Sequence, residues 1–269
     1  TNLIYKFKDS LILVFFTSLL LGVLSTLSLP PYNFFYINFF TLSLLFLIST
    51  NRNTNILVNF LIGWFFGFGY FLSSLYWISN SLTFESEFKK LIPISLIFIP
   101  SFLAIFYGFV TILTLVFKLR KNISSLLMFS IIFSIIEFFR GHILSGFPWN
   151  LIVYSTETVD FILQILPLIG TYSLNLIVIT LFITPVVAFI RIKLHHKIIF
   201  LSIIFTTVAC MSFLGKSESK KYIFEKKLGI KIKIVSPQID IKRYFDNQDP
   251  ELRIKDLIKL SDPIKNEKV

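Results

Sequence analysis

The sequence predicts an α-helical polytopic membrane protein of about seven transmembrane helices, followed by the beginning of an α/β domain. Hydrophobic residues make up 55% of the 269 positions, and charged residues make up only 15%. The chain contains 33 phenylalanines, far more than the core of a soluble domain of this size would use. Long uncharged runs fill residues 1–214, which we predict to be the membrane domain, and residues 215–269 are polar.

Each predicted span is an uncharged apolar run, because about 20 helical residues are needed to cross about 30 Å of hydrocarbon. The second and seventh runs are shorter than this, and the fifth is uncharged only as far as Ile136. The predicted spans are 11–29, 34–49, 56–82, 91–117, 123–139, 161–190 and 198–214.

The first run is predicted to be retained as a helix rather than removed as a signal peptide. Its apolar core is too long for a signal peptide, and no small-residue cleavage site precedes Pro30. Pro30, Pro31, Tyr32 and Asn33 predict a tight hairpin to the second run, because proline ends a helix. In the third run, Gly63, Gly67 and Gly69 are typical of close helix packing.

The distribution of basic residues predicts a cytoplasmic N-terminus and an extracytoplasmic tail. Nine basic residues fall on one side of the alternating spans and three on the other, and the positive-inside rule places the richer side in the cytoplasm. The net charge of +11 therefore reflects topology rather than nucleic-acid binding. The nine are Lys6, Lys8, Arg52, Lys118, Arg120, Lys121, Arg191, Lys193 and Lys197, and the three are Lys89, Lys90 and Arg140.

The polar tail begins at Lys216 and contains 14 basic and 9 acidic residues. Apolar residues alternate over 230–234, which predicts a strand with one buried face. Pro250 then lies in the first turn of a predicted helix. One strand and one helix cannot bury a core alone, so the tail is predicted to begin an incomplete α/β domain.

Glu137 and Arg140 lie at the end of the fifth span, three residues apart on one helix face. An ion pair that anchors the helix end is one interpretation. The functional alternative is a contact with a phospholipid headgroup or a clamp on the loop that follows.

Aromatic residues near the same membrane border are candidates for lipid binding. Phe147, Pro148 and Trp149 form a rigid sequence in the loop after the fifth span, and Tyr76 and Trp77 lie near the outer end of the third span. Anchoring in the aromatic belt is the alternative for both groups.

The remaining reactive residue types do not form a recognisable site. His195 and His196 have no carboxylate or cysteine neighbour, so solvated interface residues are predicted rather than metal ligands. Cys210 lies in an apolar run, where a neutral, unreactive thiol is expected. No metal site and no cofactor are predicted, and no phosphate loop, zinc helix or Gly-x-Ser-x-Gly turn occurs.

Several motifs together resemble bacterial apolipoprotein N-acyltransferase. They are Pro30-Pro31-Tyr32, the glycine-aromatic run 63–69 followed by Tyr76-Trp77, the sequence 137–141 leading to 145–150, the sequence 167–175, and the segment 235–239. These motifs occur in the family's order and cover nearly the whole chain.

The resemblance implies a multi-pass protein of the bacterial inner membrane with a periplasmic nitrilase-like (carbon-nitrogen hydrolase) α/β domain. The implied reaction transfers an acyl chain from a phospholipid to the N-terminal cysteine of a diacylated apolipoprotein, through a thioester on an enzyme cysteine. The family's catalytic Glu, Lys and Cys are expected after Val269, because the Trp-Pro-Glu motif is missing and no Trp follows Trp149. Glu267 is not assigned as the base. The chain is expected to be a truncated form, inactive alone.

Two other classes of function remain open from the residues. A membrane transporter would need ionisable residues in mid-membrane, and only Glu137 and Arg140 come close to that position. A non-catalytic membrane scaffold would retain the family fold without its chemistry.

Overall fold

The computed structural model describes residues 11–50, 55–144, 146–223 and 250–261. Helices account for most of these residues, and they form a bundle with short 3₁₀ segments between them. The α-helices are α1 (Leu11–Ser25), α2 (Ile37–Ser49), α3 (Ile56–Leu75), α4 (Ile92–Val116), α5 (Ile123–His142), α6 (Asp160–Leu163), α7 (Leu166–Ile169), α8 (Thr171–Ile183), α9 (Leu194–Ile223) and α10 (Pro250–Ser261).

Six helical segments are long and apolar enough to cross a membrane, where about seven were predicted. The segment that falls short is α2, whose 13 residues cover only about 20 Å at 1.5 Å per residue. It nevertheless runs between the two ends of the bundle. Asn38 near its start donates to Ser28 after α1, and its last carbonyl, that of Ser49, accepts from Thr114 at the end of α4.

The predicted span 161–190 is wrong over its first ten residues. The chain there forms the four-residue helices α6 and α7, and the long helical segment begins only at Thr171. Pro167 lies at the start of α7, and Gly170 has a φ of 76°, which no helix accepts. The uncharged run 161–190 is therefore not one continuous helix, because Pro167 and Gly170 interrupt it.

Glycines bring α3 into direct contact with its two main neighbours, α1 and α4. A Cβ atom on Gly63 would lie 2.1 Å from the carbonyl oxygen of Tyr107 in α4. One on Gly69 would lie 2.3 Å from the carbonyl oxygen of Leu19 in α1. The packing interpretation of these glycines is confirmed, because no larger residue fits at this helix separation.

The hairpin predicted at Pro30–Asn33 is present as a turn between α1 and α2. The backbone N–H groups of Tyr32 and Asn33 both donate to the carbonyl of Leu29. Asn33 has a φ of 58°, which reverses the chain direction.

The tail is described only in part. The helix predicted at Pro250 is confirmed as α10, whereas the strand predicted at 230–234 lies outside the described residues. Helix α9 continues past residue 214, the predicted domain boundary, to Ile223. Within the described ranges no strand occurs, so the nitrilase-like α/β domain stays a prediction.

Candidate functional site

The end of α5 contains a buried ion pair. Glu137 and Arg140 are 0% and 1% exposed, and the Arg140 Nη2 atom lies 3.5 Å from the Glu137 Oε1 atom. Arg140 is also among the largest fully buried side chains of the bundle. Removing two charges from water is costly unless each finds further polar partners, so the surroundings of this pair determine whether it is stable.

The Glu137 carboxylate has a partner on each of two other helices. The Tyr107 hydroxyl in α4 donates to Oε1 at 2.9 Å, and the Asn175 side-chain amide in α8 donates to Oε2. Asn175 also accepts a hydrogen bond from the backbone N–H of Val153 through its Oδ1 atom. One carboxylate therefore joins α4, α5 and α8 and, through Asn175, the segment after the loop.

Arg140 holds the loop that follows α5. Its Nη1 atom donates to the carbonyl oxygens of Phe147 and Trp149, at 2.8 Å each. The Arg140 backbone carbonyl accepts from the N–H of Phe147 at 2.9 Å, and the guanidinium carbon lies 5.1 Å from the centre of the Phe71 ring. The planar guanidinium with its several donors suits this role, which a lysine ammonium cannot reproduce.

A second contact holds the C-terminal end of the loop, at Asn150. The Tyr70 hydroxyl in α3 donates to the carbonyl of Asn150 at 3.1 Å, and Asn150 has a φ of 55°. Gly146, at the N-terminal end of the loop, has a φ of 72°, and a Cβ atom on it would lie 2.5 Å from the carbonyl oxygen of Gly141. The loop is thus held at both ends by buried side chains and by a turn that favours glycine.

Three aromatic side chains form a partly exposed surface above this buried network, and we name them the aromatic platform: Trp77, Phe147 and Trp149. The indole rings of Trp77 and Trp149 stack with centroids 5.3 Å apart, and the Phe147 ring lies 5.7 Å from that of Trp149. Trp77 and Trp149 are 45% and 49% exposed. The platform therefore joins the 3₁₀ segment Tyr76–Thr83, which follows α3, to the loop after α5.

The structure brings most of the predicted site residues together. Glu137, Arg140, Phe147, Trp149 and Trp77 form one continuous group, whereas Tyr76, which precedes Trp77 in the same 3₁₀ segment, is 62% exposed. Pro148 lies exposed between its two aromatic neighbours. Lipid binding by these residues stays a prediction.

Sequence reasoning missed Tyr70, Tyr107 and Asn175. Each lies in an apolar helix and is buried, with its polar atom directed at the Glu137 and Arg140 network or at the loop. A polar side chain within an apolar span could have indicated these residues, because such a group needs a hydrogen-bond partner inside the protein when lipid surrounds the helix. The helix that supplies each partner cannot be read from one sequence.

The other residues considered lie on α9, which contributes no residue to this group. The rings of His195 and His196 are 3.9 Å apart, and both side chains are exposed at the start of α9. Cys210 is an exposed free thiol on the same helix. Among the described residues no group of three His, Cys, Asp or Glu side chains is placed to hold a metal ion.

The arrangement is suited to positioning a loop rather than to bond cleavage. Both Glu137 oxygens accept hydrogen bonds, and Arg140 is engaged with the loop carbonyls, so neither group faces a reactant. A nucleophile with an adjacent base is what acyl transfer would need. The described part of the chain presents no such pair at this site.

Comparison with known proteins gives a consistent result. A family model described as the apolipoprotein N-acyltransferase N-terminal domain matches residues 21–184, a range that contains the whole site.

An apolipoprotein N-acyltransferase of Rickettsia prowazekii is 32% identical over 235 residues, which are 86% of this chain and 46% of that protein. Its counterpart in Agrobacterium fabrum is 32% identical over 174 residues, 61% of this chain and 32% of that protein. The counterpart in Rhizobium rhizogenes is 30% identical over 193 residues, 68% of this chain and 35% of that protein. The chain therefore spans about a third to a half of the length of these curated relatives.

Proposed function

Because the chain belongs to the apolipoprotein N-acyltransferase family, we propose that it forms the membrane part of an enzyme that matures lipoproteins. The substrate is the N-terminal S-diacylglyceryl cysteine of an apolipoprotein, and the acyl donor is a phospholipid. The family match over residues 21–184 is the observation that carries this proposal.

The reaction proceeds in two transfers. A cysteine thiolate attacks the ester of the phospholipid and forms a thioester, and a lysophospholipid leaves. The free amine of the lipoprotein cysteine then attacks the thioester, forms an amide and restores the thiol. We place the Cys, Glu and Lys that perform these steps after residue 269, as the family resemblance implies.

In this proposal the aromatic platform contacts the acyl chains of the lipid substrate. The stacked pair Trp77 and Trp149 offers a broad apolar surface at the border between hydrocarbon and headgroups, and the Trp77 indole N–H donates to the Ser74 carbonyl at 3.0 Å. Trp77 and Trp149 are each nearly half exposed, so both rings are accessible to a lipid at this end of the bundle.

Glu137 and Arg140 act as positioning residues for this platform. Two hydrogen bonds from Arg140 to the loop carbonyls fix the backbone on either side of Pro148. Glu137 in turn balances the charge of Arg140. A rigid loop can present its rings without the entropy cost of ordering them on each binding event.

We further propose that the platform faces the periplasm of a bacterial inner membrane. The loops at the opposite end of the bundle contain Lys118, Arg120 and Lys121, which the positive-inside rule assigns to the cytoplasm. Helix α9 then carries the chain from its basic start near Lys193 to the periplasmic side.

Family membership and the geometry of the ion pair weigh against the transporter alternative. Transport would need ionisable groups accessible to a solute, whereas Glu137 and Arg140 are buried and hydrogen-bonded to neighbouring groups of the bundle. A scaffold that shares the fold but takes no part in acyl transfer is the alternative that the experiment must separate.

A chimera tests the proposal. Residues 1–214 of this chain would replace the corresponding part of the Rickettsia prowazekii relative, and the product would be expressed in bacteria depleted of their own N-acyltransferase. We expect N-acylated lipoproteins, measured by mass spectrometry of N-terminal lipopeptides. The unmodified relative is the positive control, and the relative without its membrane part is the negative control.

A chimera that reaches the membrane in normal amount but leaves lipoproteins diacylated, while the unmodified relative acylates them, would contradict the proposal. The scaffold interpretation would then be preferred.

A further inference from the structure

A cleft with a basic mouth lies at the end of the bundle opposite the aromatic platform. Its volume is about 270 Å³, and it is lined by the last residues of α2, the last turn of α4 and the segment between α4 and α5. Ser49, Thr50 and Thr114 form its buried wall, and the exposed side chains of Lys118 and Arg120 flank its opening.

The positive charge at this opening is not neutralised by the surrounding helices. Helices α2 and α4 contain no acidic residue, and the one acidic residue of α5, Glu137, is paired at the far end. The side chains of Lys118 and Arg120 make no ion pair and no hydrogen bond with a residue that the structure describes. Lys121, also exposed, adds a third positive charge beside them.

The backbone that carries these cations is held in place. Lys118 has a φ of 52°, which ends α4 in a left-handed turn, and the N–H of the next residue, Leu119, donates to the carbonyl of Thr114 at 2.9 Å. The N–H of Arg120 donates to the Ser125 hydroxyl at 2.9 Å. Leu119 is only 8% exposed, so it is packed inward between two outward cations.

Apolar side chains continue from this cleft along the outside of the bundle. Val116 and Phe117 are 55% and 52% exposed, directly before Lys118 in sequence. Basic pockets between transmembrane helices are a recurring binding site for anionic lipid headgroups. A free anion would use the cations alone, whereas a phospholipid would also cover the exposed apolar residues.

We propose that this cleft binds an anionic phospholipid, with the phosphate between Lys118 and Arg120 and an acyl chain along Val116 and Phe117. This site lies at the other end of the bundle from the platform and is independent of the acyl-transfer reaction.

Native mass spectrometry of the purified 269-residue chain in detergent tests the proposal, with phosphatidylglycerol titrated against zwitterionic phosphatidylcholine of the same acyl chains. We expect phosphatidylglycerol to bind preferentially. The double variant K118Q/R120Q is expected to lower its affinity by about thirtyfold, and each single variant by about fivefold. The matched control K89Q/K90Q removes two charges at the other end of the bundle and should retain the affinity of the unmodified chain.

Three results would overturn the assignment. The first is equal binding of the two lipids, and the second is unchanged phosphatidylglycerol affinity in both single variants and in K118Q/R120Q. The third is equal displacement of phosphatidylglycerol by millimolar inorganic phosphate and by a second anionic phospholipid, which would indicate a site for a free anion. The single variants keep the test decisive if the double variant does not fold.

Discussion

At one end of the bundle Glu137 and Arg140 are buried and paired, whereas at the other end Lys118 and Arg120 are exposed and have no acidic neighbour among the described residues. The first arrangement fixes a loop, because each charge is matched by hydrogen bonds inside the protein. The second leaves the positive charges of Lys118 and Arg120 accessible to a ligand. Charged residues therefore hold a loop in place at one end of the bundle, and at the other end they face the surroundings of the protein.

The largest expected effect is that of Glu137→Ala, which would leave Arg140 buried without its counter-charge. Breaking a buried ion pair from one side typically costs about 3–5 kcal/mol. We expect a large fall in Tm of the purified chain in detergent, or failure to accumulate in the membrane. Glu85→Ala changes an exposed acidic residue and serves as the control. Equal Tm values for the two variants would contradict the structural role given to Glu137.

Arg140→Lys retains the charge but loses the planar group that donates to two carbonyls. Hydrogen bonds to charged groups contribute about 1.5–3 kcal/mol, so the loop should open more often, and cleavage by chymotrypsin after Trp149 should become about tenfold faster. Arg191→Lys, on an exposed residue, is the matched control. Cleavage at the same rate in both variants would show that Arg140 does not hold the loop.

Trp77→Ala removes the ring that stacks on Trp149. The stability cost of a lost aromatic pair is small, about 0.5–1.5 kcal/mol beyond burial. N-acylation by the chimera should fall further, by about tenfold, if the platform positions the lipid. Tyr76→Ala, on the exposed neighbour, should have little effect on either measurement. Normal N-acylation by the Trp77 variant would remove the platform from the proposed function.

The smallest expected effect on stability is that of K118Q/R120Q in detergent without anionic lipid. Exposed charges contribute little to folding, so the free energy of unfolding should change by less than about 0.5 kcal/mol. The contrast with Glu137→Ala is the direct test of the comparison between the two ends. A large loss of stability of K118Q/R120Q, measured by thermal unfolding, would mean that charged residues stabilise the fold at both ends of the bundle.

Most of the helical architecture could be predicted from the sequence, because an apolar run of sufficient length has few alternatives in a membrane. The exceptions have visible causes. Pro167 and Gly170 divide the run 161–190, and a count of uncharged residues ignores them. The short length of α2 is not such an exception, because its uncharged run 34–49 is already short in the sequence. The buried contacts of Asn38 with Ser25 and Ser28, which join α2 to the end of α1, could not be predicted from that run.

The candidate site could be predicted only as far as local spacing reaches. Glu137 and Arg140 are three residues apart on one helix, so their pairing follows from helix geometry. Their contacts with Tyr107, Asn175 and the Trp149 carbonyl join segments distant in sequence. Such contacts depend on how the helices are arranged around one another, which apolar periodicity in a single sequence does not specify.

The link between Glu137 and Asn175 has a consequence for biosynthesis. Helix α5 leaves the translocon with two charged residues, each costing about 2.5–3.5 kcal/mol if it lay at the centre of a membrane-inserted helix. Tyr107 has already been synthesised at that point, but Asn175 follows 38 residues after Glu137. The ribosome must therefore deliver α8 before this end of the bundle is complete, and until then α5 depends on its earlier neighbours to remain inserted.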